Sequence, residues 1–159
     1  MIEIKPPQPL NNKKFSIFLA GSIEMDKAEE WQQRVSNELK DFDINIFNPR
    51  RTDWDSSWKQ TVDDENFYEQ VNWELDGLSL ADLIVIYFQP DTKSPISLLE
   101  LGLHAMQDNV LVCCPEGFWR RGNVEIVCER YDIPLYESLE DLIEDLKENL
   151  PNLLKLFSK

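Results

Sequence analysis

DLIVIYFQPDTKSPISLLELG, residues 82 to 102, decides the fold class. After Asp82 its first part is apolar throughout, as a central parallel strand covered on both faces must be. Ser94 is a good N-cap and Pro95 a good first helical residue. Ile96, Leu98, Leu99, Leu101, Leu103, Ala105 and Met106 follow, and no polar stripe separates a wet face from a dry one. The stretch predicts a buried strand, a loop and a buried helix in sequence, which is half of a βαβ unit. Glu100 stands out in that helix. A buried, unpaired carboxylate costs several kcal/mol or takes up a proton. Two readings are open: a carboxylate satisfied by a neighbouring donor, or a desolvated group serving as nucleophile or acid/base.

Outward from this unit the chain alternates strand and helix. FSIFLA (15–20) and INIF (44–47) read as strands, the first ended by Gly21, the second by Asn48 and Pro49. Residues 27–40 carry Trp31, Val35 and Leu39 at helical spacing, and residues 67–82 carry Phe67, Val71, Leu75 and Leu78 on one side. Residues 51–64 are polar with two tryptophans and read as a long loop. NVLVCC (109–114) is a fourth strand, residues 122–131 a short helix and IPLY (133–136) a weak edge strand. Residues 138–157 form an amphipathic helix that Ser138 and Asp141 cap. The expected fold is α/β: a flavodoxin-like, doubly wound, five-stranded parallel sheet with helices on both faces. Residues 1–14 read as a short arm without a signal peptide's apolar core, and residues 15–159 as one domain.

Composition narrows the function. A net charge of −14 argues against a nucleic-acid polymer or an anionic membrane surface as partner, but not against one nucleoside in a pocket. No apolar run approaches the roughly 20 residues of a membrane span. The three cysteines, without a CxxC pair, fit structural thiols in a reduced cytoplasmic protein. With one histidine and no ligand spacing, no metal or other cofactor is expected.

In a doubly wound sheet the functional crevice lies at the carboxyl ends of the strands. Three loops meet there: Gly21 to Glu24, Asn48 to Trp54, and Gln89 to Ser97. Gly21-Ser22 is either a plain strand-to-helix turn or a loop that holds an anion or a ribose. NPRRTDWDSSW (48–58) is either a solvated loop or a base-binding one, with aromatic faces to stack and Arg and Asp to bond base edges. His104 lies one turn after Glu100, as a packed core residue or an acid/base partner. Of Glu74 and Asp76 one can face the crevice, and spacing alone does not choose.

Taken together, FLAGS (18–22), IFNPR (46–50), WELDGLSLAD (73–82), SLLELG (97–102) and RGNVEIV (121–127) resemble, in order, the nucleoside 2-deoxyribosyltransferase family and its nucleotide-hydrolase relatives. The resemblance covers residues 15 to 136. It implies that Glu100 attacks the anomeric carbon of a 2-deoxyribonucleoside and that a second base, or water, resolves the covalent intermediate. The logic is that of a retaining glycosidase. It further implies that Glu74, where the family has aspartate, contacts the sugar. Arg50, Asp53 and Trp54 lie on the base side. Ser22, Ser94 and Ser97 line the substrate loops with Gly21, and Asn123 is lent by a neighbouring subunit of a homodimer or larger assembly. Phe18 stands where many members carry the tyrosine that orients the nucleophile. Glu24 stands where the hydrolases carry a phosphate-binding arginine. A carboxylate there repels phosphate, by about 1 kcal/mol at 4 Å even in water, which favours nucleosides over nucleotides. The family's closing C-terminal tyrosine is absent from NLLKLFSK. The readings that compete with base exchange are a nucleoside or nucleotide hydrolase, a non-catalytic nucleotide-sensing module, and an interaction protein with an empty crevice.

Overall fold

The computed structural model describes residues 1–23, 30–51 and 55–157. Among them run β1 (Ile2–Ile4), β2 (Ser16–Gly21), α1 (Trp31–Glu38), β3 (Asn45–Phe47), α2 (Glu65–Leu80), β4 (Leu83–Tyr87), α3 (Pro95–His104), β5 (Val110–Cys113), α4 (Arg121–Arg130), β6 (Leu135–Tyr136) and α5 (Leu139–Phe157). The six strands form one parallel sheet in the order β1-β3-β2-β4-β5-β6. The fold class is as expected, but the sheet has six strands rather than five. The extra strand comes from residues read as an arm: Ile2 to Ile4 pair with Asn45 to Phe47 on the open edge of β3. Three residues carry too little periodicity to be recognised as a strand, and the neighbouring backbone supplies what the side chains do not.

Strand alternation divides the core in two. Ile17, Leu19, Val85 and Tyr87 face α1 and α5, whose Trp31, Val35, Leu142 and Leu146 cover them. Phe18, Ala20, Ile84 and Ile86 face the other way, beneath Trp73 and Leu78 of α2, Leu101 of α3 and Val124 of α4. Cys113 and Cys114 point to opposite faces, and burial pushes both thiols up to about 12. All three cysteines are buried and unpaired. Asp64 caps α2, its side chain accepting the Phe67 N–H at 3.1 Å, so the helix begins two residues before the predicted Phe67. Ser138 accepts the Asp141 N–H at 3.1 Å, which is one half of the predicted capping box.

Two helices present faces other than those predicted. In α2 the buried positions are Gln70, Trp73, Gly77 and Leu78, while Leu75 is exposed. Trp73 is the bulkiest apolar side chain in the helix and turns inward onto Phe18. Gly77 then lets the Phe18 ring in, because a Cβ there would lie 2.7 Å from it. In α3 the buried positions are Ser97, Glu100, Leu101 and His104. Ile96, Leu99, Leu103 and Met106 lie outside, each at least half exposed. A polar stripe does run along α3, but it faces the sheet, so the reversed pattern reads as no pattern at all.

The connections leave β2 and β4 in opposite directions: β2 leads through α1 to β3 on one side, β4 through α3 to β5 on the other. Their carboxyl ends therefore flank the switch point at which α/β sheets bind ligands.

Candidate functional site

Hydroxyl and backbone bonds tie together the loops that meet at this switch point. The Ser22 N–H donates to the Tyr87 carbonyl at 2.9 Å, and the Gln89 N–H donates to Ser22 Oγ at 2.9 Å. Ser22 Oγ lies 2.6 Å from Ser94 Oγ and 2.9 Å from Thr92 Oγ1, with Ser94 and Thr92 3.0 Å apart. Trp31 Nε1 donates to the Ser22 carbonyl at 3.0 Å. Three buried hydroxyls thus join the β2 loop to the β4 loop. Ser94 sits at the N-cap position as predicted, but it makes no side-chain cap bond. Its φ of 44° is left-handed, rare for serine, and its hydroxyl belongs to the cluster instead. Thr92 escaped the sequence reading because a loop threonine carries no periodic signal.

Gly21 has a φ of 138°, and a Cβ on it would lie 2.3 Å from the Tyr87 oxygen. Its place in the ladder opposite Tyr87 gives glycine a reason to be there that involves no ligand.

The two glutamates lie on the face of the sheet that α2 and α3 cover. Glu100 is 8% exposed and Glu74 half-buried. Burial pushes the Glu100 carboxyl up to about 8, with the neighbouring Glu74 carboxylate adding to the effect. Burial also raises Glu74, opposed by a hydrogen bond from Gln70. Gln70 Nε2 donates to Glu74 Oε1 at 2.7 Å and to the Pro49 carbonyl at 3.1 Å. Burial thus lifts both carboxyls above the ordinary glutamate range, Glu100 the more strongly, and a desolvated carboxyl of this kind suits nucleophilic or acid/base work at carbon. Helical spacing offered Glu74 and Asp76 equally. The structure sets Glu74 against Glu100.

The remaining predicted residues are spread more widely. Ser97 is buried on the sheet-facing side of α3, one turn before Glu100. His104, one turn after it, is buried with Nδ1 3.1 Å from Gln107 Oε1. Phe18 is fully buried against Trp73 and Gly77, in the core beneath α2. The Arg50 N–H donates to Asn48 Oδ1 at 3.0 Å, which shapes the loop after β3. Asn48 in turn donates to Glu3 of β1 at 2.8 Å, so the unpredicted strand buttresses this loop. Arg51 lies with its guanidinium 5.0 Å from the Trp58 ring centre. Asn123 is exposed on α4. Glu24, Asp53 and Trp54 lie outside the described residues. Among the described residues no group of three or more His, Cys, Asp or Glu side chains is placed to hold a metal ion. Nor is any described helix long and apolar enough to cross a membrane.

Comparison with known proteins gives this crevice a family. The family model described as nucleoside 2-deoxyribosyltransferase like matches residues 14–118, about two thirds of the chain. The match runs from β2 to beyond β5 and takes in both glutamates and the hydroxyl cluster. No curated protein matches. Among solved structures, the crystal structure of a conserved protein from Enterococcus faecalis V583 is similar, with a TM-score of 0.60 and 14% identity. That similarity covers 86% of this chain and 99% of the other, and at such low identity it speaks for the fold. With its parallel sheet, its switch-point crevice and the family match across both, the chain belongs to the nucleoside 2-deoxyribosyltransferase-like family.

Proposed function

We propose that the protein cleaves the N-glycosidic bond of 2-deoxyribonucleosides and transfers the deoxyribosyl group to another base, with Glu100 as nucleophile. The observation that carries this reading is the placement of Glu100, buried on α3 beside Glu74 at the switch point, inside the family match. In the first step a Glu100 carboxylate oxygen bonds to the anomeric carbon as the carbon–nitrogen bond breaks. The electron pair leaves with the base, whose nitrogen takes a proton from solvent, and the incoming base returns one to solvent when its nitrogen bonds to carbon in the second step. In the second step a nitrogen of the incoming base attacks the same carbon, the carbon–oxygen bond to Glu100 breaks, and the carboxylate is regenerated. Water in place of the second base gives hydrolysis. Glu74 accepts a hydrogen bond from a sugar hydroxyl. Arg50 bonds the base, a role the family resemblance also gives to Asp53 and Trp54, while Ser94 and Ser97 line the substrate side of α3. Gly21 and Ser22 support that wall from the end of β2, and Phe18 packs beneath α2, which carries Glu74. No cofactor is needed for this chemistry.

A base-exchange assay tests it. The protein is incubated with a panel of 2-deoxyribonucleosides and a different free base, beside Glu100→Ala. A new deoxynucleoside that the variant fails to make supports transfer. Free base and deoxyribose alone redirect the reading to a hydrolase, and no product from any nucleoside or nucleotide overturns it.

The same reading assigns a homodimer or larger assembly in the cytoplasm, in which Asn123 from one copy completes the site of another. Ile96, Leu99, Leu103 and Met106 on α3 support it, since an apolar stripe of this kind on a monomer is more often an interface than bare surface. We expect Leu99→Glu with Leu103→Glu to convert the assembly to a monomer in light scattering, with base exchange lost in parallel. A wild-type monomer in the same measurement refutes the assembly.

A further inference from the structure

Gln70 is 3% exposed and sits one turn before Glu74 on the same face of α2. Its side-chain NH2 is committed to two acceptors, Glu74 Oε1 at 2.7 Å and the Pro49 carbonyl at 3.1 Å. Neither partner can donate while Glu74 is ionised, so the amide has only one workable orientation. That orientation leaves Gln70 Oε1 buried and without a hydrogen-bond partner. A buried orphan acceptor is unfavourable, and an apolar side chain of the same size would avoid it. Packing therefore does not explain a glutamine here, whereas the two bonds it makes do. They span from the helix that carries Glu74 to the loop after β3 that carries Arg50.

We propose that Gln70 is a positioning residue, whose amide holds the Glu74 carboxylate in place for the sugar and ties it to the base-side loop. This rests on the deoxyribosyl-transfer reading above. A hydrogen bond to a charged group is among the stronger ones, and a carboxylate held by its rigid neighbour needs no reorganisation when substrate arrives. Without Gln70 the Glu74 side chain is free to rotate on its longer stem, away from the hydroxyl it receives. The family match includes Gln70 but assigns it no role.

The test is a double-mutant cycle in the base-exchange assay, using Gln70→Met, Glu74→Ala and the pair. Methionine fills the same space and removes the orphan acceptor along with the donor, so the gain from losing the orphan offsets part of the cost of leaving the Pro49 carbonyl unpaired and thermal stability should fall only modestly. We expect Gln70→Met to lower kcat/KM by roughly 10- to 100-fold in a background that has Glu74. In the Glu74→Ala background it should have little further effect, because its target is gone. Substrates that lack the 3- or the 5-hydroxyl identify the contact: one of them should show a much smaller loss on Gln70→Met. Equal losses in both backgrounds and with all substrates overturn the proposal and leave Gln70 a structural tie. That outcome is read against wild-type turnover. Absence of wild-type turnover overturns the transfer reading itself, and the proposal with it.

Discussion

Replacing Glu100 by glutamine is expected to lower base exchange on the order of 10³-fold or more, since the variant keeps the shape of the site but has no carboxylate to bond to carbon. Ligand affinity should survive, because glutamine fills the same space between α3 and the sheet. The pH dependence of the wild type carries the second half of the expectation. Burial and Glu74 together push Glu100 up to about 8, and the nucleophile is the ionised form. In the free protein kcat/KM should therefore rise with pH through that region and level off above it. A rising limb near an ordinary carboxylate value would mean that the assembled site ionises Glu100 by some further donor. A Glu100→Gln protein that still exchanges bases would remove the glutamate from the mechanism.

The same substitution should raise stability by an amount that grows as pH rises above about 4.5 and is largest at the alkaline end. The folded state holds the Glu100 proton up to about 8, whereas an unfolded glutamate releases it near 4.5. Between those values the folded chain binds more protons than the unfolded one, so stability falls as pH rises, and the loss is complete above about 8. The difference corresponds to roughly 5 kcal/mol before the folded site relaxes around the charge, and to less once it has. Glutamine does not ionise and escapes this loss. At pH 9 we expect Glu100→Gln to be more stable than wild type by about 2–3 kcal/mol, or roughly 5–10 °C in Tm. At pH 5 the two proteins should unfold at similar temperatures. A Tm difference that does not change with pH would show that the carboxyl is not desolvated. Gain in stability with loss of activity is the signature of a strained functional group.

These expectations hang on positions that were legible to different degrees. The strands β2, β4 and β5 announce themselves because both of their faces are covered, which leaves unbroken apolar runs. Glu100 announces itself by breaking such a run. Spacing alone leaves Glu74 and Asp76 equal, since it says which residues share a face and not which face turns inward, and only the family resemblance singles out Glu74. The rotation of α2 is settled by Trp73 against Phe18 and by the gap at Gly77, which are contacts between segments far apart in the chain. Gln70 was hidden for the same reason. It became visible only once α2 was turned and the Pro49 carbonyl arrived beside it. Strand β1 was hidden because its pairing lies in the backbone of β3 rather than in its own three side chains.

Gly21→Ala is expected to destabilise the protein by roughly 3–5 kcal/mol, through backbone strain and overpacking together. A Cβ at this position would lie 2.3 Å from the Tyr87 oxygen, 2.8 Å from its nitrogen and 3.0 Å from the Trp31 ring. The first two are backbone atoms of β4, the strand beside β2 at the centre of the sheet, and cannot swing aside. The left-handed φ of 138° adds strain that no rearrangement of side chains relieves. Against a total stability of about 5–15 kcal/mol, such a loss is visible in any denaturant titration. Gly122→Ala on α4 is the matched control: nothing lies within 4 Å of its Cβ, and it should gain up to about 1 kcal/mol. The contrast decides between the two readings the sequence left open for the turn after β2. If Gly21→Ala unfolds the protein, the glycine is there for the Gly21–Tyr87 approach, and Ser22 and the hydroxyl cluster are held where that approach puts them. If the variant is as stable as wild type but binds nucleosides poorly, the glycine is there to admit the ligand, and the crevice extends down to the end of β2.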